Sequence, residues 1–172
     1  MSIDIFTDGS TLDNQSKKLK VGGVGVFFGD DDPRNIAHPL IETPKFKVTN
    51  QVAELTAVIM ALHKLMETTI IDKKINIYTD SMYIVNSFNK WMSNWIKNGW
   101  KKSNGKPVDN LKLMKKVYYL GTNLKVNFIH TRAHKKAPPK DNPEYYIWYG
   151  NDQADKLSVE GSKIAINIKN NK

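Results

Sequence analysis

Apolar and polar residues alternate over Ile3-Asp4-Ile5-Phe6-Thr7 and again over Ile75-Asn76-Ile77-Tyr78-Thr79, a period of two that predicts strands. Each run ends in Thr-Asp and a small residue, at Asp8-Gly9 and at Asp80-Ser81. Between them, Val21 to Phe28 (VGGVGVFF) predicts a second strand whose glycines permit close backbone approach. His38 to Ile41 predicts a third, antiparallel and at an edge because it carries Pro39. Asp30-Asp31-Asp32-Pro33 predicts the hairpin tip joining them, and Thr11 to Lys20 a polar connection. At Thr49 the period changes. Leu55, Val58, Ile59, Leu62, Leu65 and Met66 recur at three and four, one face of a helix of about five turns capped by Thr49 or Asn50.

The same patterns predict helices from Ser81 to near Lys97, over Leu111 to Leu120 and over Asn151 to Glu160, with a further strand at Leu124 to Ile129. Lys135 to Tyr149 reads as a Pro-containing, aromatic-rich loop whose Tyr145, Tyr146, Trp148 and Tyr149 are expected to pack over the core. Residues 162–172 are expected to form a flexible tail. Three strands in succession, then helices and strands in alternation, place the chain in the α/β class.

The whole chain, residues 1–172, fits one domain, and its lack of cysteine excludes both a disulfide framework and a thiolate zinc site. No leader and no membrane-length apolar run is evident, so an intracellular protein, cytoplasmic or nuclear and not secreted, is expected. A monomer with no protein partner and no membrane contact is the corresponding expectation. The net charge of +9 favours an anionic partner, with nucleic acid first. Only Arg34 and Arg132 are arginines, the other basic residues being Lys, which suits phosphate contact without sequence preference better than bidentate base reading.

Catalytic groups in open α/β sheets gather beyond the carboxyl ends of strands, so Asp8 and Asp80 are candidates for one site. Glu54, expected in the first turn of its helix, is a third, and Asp155 or Asp152 a fourth. Each has an ordinary explanation in turn or helix-dipole chemistry; only their convergence would mean more. His130 and His134 follow the last predicted strand. From Lys90 to Lys116 eight Lys face one acid, Asp109, and three of the four tryptophans, Trp91, Trp95 and Trp100, fall among them. Interrupted by Asn98-Gly99 and Asn104-Gly105, residues 90–116 predict a basic protrusion whose indoles meet bases or sugars.

Six ordered motifs make the chain similar to the type 1 ribonuclease H family from Ile3 to about Gly161. They are TDGS at Thr7 to Ser10, NQxAE at Asn50 to Glu54, TDS at Thr79 to Ser81, the Trp/Lys segment, the Ala133-His134 dipeptide, and GNxxAD at Gly150 to Asp155. The resemblance implies a ribonuclease H-like fold: a five-stranded mixed sheet, three antiparallel strands then parallel ones, flanked by helices, with a basic helical protrusion. It implies an endoribonuclease that hydrolyses the RNA strand of an RNA·DNA hybrid duplex with two Mg²⁺ ions, Mn²⁺ a possible substitute, leaving 5′-phosphate and 3′-hydroxyl ends. Asp8, Glu54, Asp80 and Asp155 would be the metal-binding and catalytic carboxylates, with His134 assisting proton transfer or product release.

By the same resemblance Gly9, Ser10, Asn50 and Gln51 would contact the RNA strand, and Tyr83, Trp91 and Trp95 the DNA strand. Thr49 and Asn110 match the family's phosphate pocket, while Lys101 and Lys102 belong to the basic grip. The segment 135–149 is longer than the family usually carries. The rival expectations are a nuclease of this fold acting on DNA and a binding module without chemistry.

Overall fold

The computed structural model describes residues 1–12, 20–68 and 72–172. Residues 13–19, most of the expected Thr11–Lys20 connection, lie outside the described residues. Strands β1 (Ser2–Leu12), β2 (Val21–Phe27) and β3 (Ile36–Ile41) run antiparallel, and β4 (Lys74–Thr79) and β5 (Val126–His130) continue the sheet in parallel. The spatial order is β3-β2-β1-β4-β5, which puts Pro39 on an edge strand as expected and places β1 and β4 side by side in the centre. Helix α1 (Asn50–Thr68) and helix α4 (Leu111–Thr122) pack together on one face of the sheet, and α5 (Glu144–Asn170) covers β1, β2 and β3 on the other.

The alternation seen in the sequence sorts side chains between these two faces. Ile5, Ile75 and Ile77 enter the large core that also holds Leu55, Val58 and Leu62 of α1. Phe6, Phe27 and Tyr78 point the other way, to Ala154 of α5, and Phe6 stacks on Tyr78 at 4.8 Å between ring centroids. Asp8 and Asp80 share the parity of Phe6 and Tyr78. They therefore belong to the α5 side of the sheet.

Glycines in β2 set how near α5 can come. A Cβ on Gly23 would lie 2.0 Å from the Ser158 carbonyl oxygen, and one on Gly25 would lie 2.1 Å from that of Ala154. Backbone thus rests directly on backbone, the role expected for the glycines of VGGVGVFF.

Two expectations about the C-terminal third are corrected. The last helix begins at Glu144 and continues to Asn170, so the second part of the 135–149 segment is helical and the 162–172 stretch is not a frayed tail. Ser162 and Ala165 are buried, and Gly161 meets the backbone of His38, so the helix is held by its contacts with β2 and β3. Of its aromatic residues, Tyr146 and Tyr149 pack over the core as expected. Tyr146 meets Phe6 edge-on at 5.7 Å and Tyr149 meets Phe27 at 6.0 Å.

The helix expected from Ser81 to Lys97 is three pieces: α2 (Met82–Asn86), a π-helical turn (Ser87–Trp91) and α3 (Met92–Lys97). Ser81 caps it by accepting from the Ile84 amide. The turn seats Phe88 flat on Phe128 of β5 at 4.6 Å. No helix among the described residues is long and apolar enough to cross a membrane.

Candidate active site

Parallel pairing of β1 with β4 matches Phe6 to Tyr78, and the same offset two residues on sets Asp8 level with Asp80. Glu54 joins them from α1. That helix starts at Asn50, so Glu54 stands one turn further in than expected and outside the dipole-favoured first turn. Close packing brings it there: a Cβ on Gly9 would lie 2.4 Å from the Ala53 carbonyl carbon and 2.5 Å from the Glu54 amide. Asp8, Glu54 and Asp80 each offer a carboxylate oxygen within 4.8 Å of the others.

Such a group is electrostatically uncomfortable. Burial, then the neighbouring Asp80, pushes the Asp8 carboxyl up to about 7, against the opposing hydrogen bond from Ser158. Burial also raises Glu54 well above the usual carboxylate range, with Asp8 and Asp80 adding to it. Asp80 is raised by burial and by Asp155, while His134 and His130 act in the opposite direction. The Glu54 Oε2 atom is buried without any hydrogen-bond partner. Clustered oxygen donors, raised carboxyls and an orphaned buried oxygen fit a hard divalent cation.

Asp155 lies beside the trio on α5 and acts on both Asp8 and Asp80. It also lines the same cleft of about 460 Å³, whereas Asp152 is paired with Lys156 at 2.8 Å. His134 reaches the cleft from the loop after β5 with φ of 52°, a left-handed backbone that histidine tolerates better than most residues.

The expected RNA-strand residues Gly9, Ser10, Asn50 and Gln51 all line this cleft, and Tyr83 walls it. The Ser10 hydroxyl, however, is turned to α5, 2.7 Å from Ser162 Oγ and 3.1 Å from the Ser158 carbonyl oxygen. Asn50 Oδ1 accepts from the Thr11 hydroxyl. The exposed Thr49 caps α1, its Oγ1 accepting from the Val52 amide. Asn110, at φ of 53°, donates to Gln51 Oε1 and to the Tyr83 hydroxyl, each at 3.2 Å, and so ties the start of α4 to the cleft.

Tyr83 also walls a second cleft of about 430 Å³ that contains Trp91, Trp95, Lys101 and Lys102. Trp91 is 41% exposed, and its ring centroid lies 5.8 Å from that of Trp95. Trp95 and Trp100 pack partly into the core, and Trp100 meets Tyr118 edge-on. Lys102 is paired with Asp109 at 3.1 Å. Of the three tryptophans, Trp100 therefore serves packing and Trp91 the surface.

Sequence reasoning missed Ser158. Its hydroxyl lies 2.7 Å from Asp8 Oδ2 and 2.8 Å from the Asp155 carbonyl oxygen, fully buried between the two acids. The only trace in the sequence is its position one turn after Asp155 on a helix that presents Ala154 and Ser158 to β2. The buried bond from Thr131 to Asn151, at 2.9 Å, was missed as well.

A sequence model of the RNase H family matches residues 1–163. The chain belongs to the type 1 ribonuclease H family. Among its ribonuclease H relatives, that of Schizosaccharomyces pombe is 39% identical over 158 residues, covering 92% of this chain and 52% of that protein. The ribonuclease HI of Rickettsia prowazekii is 31% identical over 166 residues, covering 95% of this chain and 93% of that protein. The chain spans about half the length of the fission yeast, mouse, rat and human relatives.

The ribonuclease H fold is equally evident in solved structures. LC9-RNase H1, a type 1 RNase H with the type 2 active-site motif, superposes with a TM-score of 0.68 at 23% identity, over 94% of this chain and 72% of that one. The foamy viral protease-reverse transcriptase in complex with RNA/DNA hybrid superposes with a TM-score of 0.72 at 23% identity, over 92% of this chain and 20% of that one.

Proposed function

We propose that this chain is an endonuclease that hydrolyses the RNA strand of RNA·DNA hybrids, leaving 5′-phosphate and 3′-hydroxyl ends. The observation that carries this is the Asp8, Glu54 and Asp80 cluster, with oxygens within 4.8 Å of one another at the floor of an open cleft. Membership of the ribonuclease H family supports it, as does likeness in fold to a reverse transcriptase solved with an RNA/DNA hybrid.

Asp8, Glu54 and Asp80, with Asp155 beside them, would hold two Mg²⁺ ions, Mn²⁺ being a possible substitute. The chemistry such ions supply when bound is activation of a water and stabilisation of the leaving oxygen in an in-line phosphodiester displacement. The chain's own residues prepare the site. Ser158 fixes the rotamer of Asp8, and the Gly9 contact fixes the approach of Glu54. His134, on the rim, carries a proton to or from the departing product. Its loss slows turnover without ending it.

The RNA strand lies against Gly9, Ser10, Asn50 and Gln51, where short polar groups and backbone donors can meet 2′-hydroxyls across a wide minor groove. Ser10 contributes through its backbone, because its hydroxyl is held by α5. The DNA strand lies against Tyr83, Trp91 and Trp95, with Thr49 and Asn110 near a phosphate and Lys101 and Lys102 supplying charge. In this reading residues 90–116 serve as the basic handle and the chain acts as a monomer.

The test is a labelled RNA strand presented in a hybrid with DNA, in duplex RNA and alone, with Mg²⁺ or with EDTA. Cleavage confined to the hybrid, absent in EDTA and absent in Asp80→Asn, is the expected result. Cleavage of duplex DNA, or cleavage without a divalent cation, would rule the proposal out.

A further inference from the structure

Beyond the carboxylates, on the flank away from Tyr83, lies a pocket of about 340 Å³ between the 130–138 segment and the first turns of α5. That size is at the lower end for small-ligand sites. It is joined to the catalytic cleft by shared walls. Asp80, His134 and Asp155 border both the cleft and a small depression beside it, and Lys135, Trp148 and Asn151 border both that depression and the pocket. Shared wall residues therefore link the catalytic cleft, the depression and this pocket in that order.

Its chemistry is that of a phosphate and an apolar ring. Arg132, Lys135 and Lys136 line it, with His130 beside them and Glu144 as the one acid on its wall. None of the three cations forms an ion pair with a described residue, whereas the other arginine, Arg34, is committed to Asp32 at 2.7 Å. Ile147, Trp148 and Pro138 supply the apolar side. The walls are fixed: the Trp148 indole N–H donates to the Lys135 carbonyl oxygen at 2.9 Å, and Thr131 is bonded to Asn151 beneath.

We propose that this pocket is a second substrate-binding site, taking one phosphodiester-linked nucleotide of the strand being cut, with its phosphate on Arg132, Lys135 and Lys136. It rests on the hybrid-cleavage function proposed above. A strand whose scissile phosphate sits over Asp8 and Asp80 and whose one end passes His134 crosses the depression, which Asp80, Asp152 and Asp155 also line, and reaches this pocket. The 135–149 segment then enlarges the substrate surface as well as packing on the sheet.

The test compares wild type with an Arg132→Ala/Lys136→Ala double variant on a series of hybrids shortened from each end. Affinity is read by fluorescence anisotropy in EDTA and cleavage is read with Mg²⁺. Both side chains are exposed, so the variant should melt as wild type does. On long hybrids it should bind about 5- to 20-fold more weakly and raise KM to match, with kcat unchanged, as expected for lost phosphate contacts.

Shortening from one end should bring wild type down to the variant and erase the difference; shortening from the other should preserve it. An equal loss at every length, or a fall in kcat, would overturn the site. So would erasure of the difference by millimolar adenosine monophosphate on a long hybrid, which would mark a free-nucleotide pocket. Should wild type cleave no hybrid, the function proposed above fails, while the anisotropy series still decides the pocket.

Discussion

In the proposed mechanism Asp8 serves chemistry at the expense of stability. Its carboxyl, pushed up to about 7, favours protonation in the folded state, so the contribution of Asp8 to metal-free stability is greatest below about pH 4 and is lost as pH rises towards 7. Glu54 and Asp80 shift in the same direction and deepen that fall. Asp8→Asn should therefore abolish cleavage yet melt at a higher temperature than wild type in EDTA at pH 8, by at most about 4 kcal/mol of stability, with the gain gone near pH 4. A thermal melt at each pH, with and without Mg²⁺, checks this, and Mg²⁺ should raise the melting temperature of wild type far more than that of the variant.

Ser158 acts at the same scale through Asp8. Ser158→Ala should lower the apparent affinity for Mg²⁺ by about 10- to 100-fold, with most activity restored at saturating Mg²⁺. A Mg²⁺ titration of cleavage separates that from loss of fold. Neither Ser158 nor Ser162 was legible in the sequence, because a serine one turn after an acid reads as ordinary helix surface until β2 is seen to lie against it, and Ser162 fell in the expected tail. The three acids that converge, Asp8, Glu54 and Asp80, were legible as candidates from their motifs, whereas the residue pattern alone left Asp155 and Asp152 as alternatives.

At the scale of elements, the site depends on how closely α1 and α5 can approach the sheet. Gly25→Ala would drive a methyl into the Ala154 carbonyl, which cannot yield without moving α5. It should cost about 1–3 kcal/mol in stability and reduce cleavage beyond that cost, since Asp155 rides on the same helix. Urea denaturation and a cleavage assay at a temperature where the variant remains folded test the two parts separately. The three-piece helix after β4 has its own division of labour. Trp91→Ala should weaken hybrid binding by about 1–3 kcal/mol with little change in melting temperature, and Trp100→Ala should do the reverse, as a melt beside a binding titration would show.

Across the whole molecule, the charge of +9 is borne almost entirely by lysine and is concentrated in residues 90–116. Association through such a surface releases counterions, so the apparent affinity for the hybrid should fall about 10³- to 10⁵-fold between 50 and 200 mM salt if 6–10 phosphates are contacted. A KM that is flat across that range would show that lysine does not carry the grip.

By itself, the sequence determined the strand and helix order, the edge position of Pro39, the acids that meet, and the family. The elements follow from periodicity and the family from six ordered motifs, while each acid on its own had an ordinary turn or helix-dipole explanation. Only the tertiary structure decided that the C-terminal residues continue as helix, because burial of Ala165 and the seat of Gly161 on His38 come from β2 and β3, far away in the chain. Tertiary packing also placed Ser10 against α5, gave Ser158 its hold on Asp8, and opened a basic pocket beyond His134. The contacts of Ser10 and Ser158 join residues more than a hundred positions apart, and no local pattern encodes them.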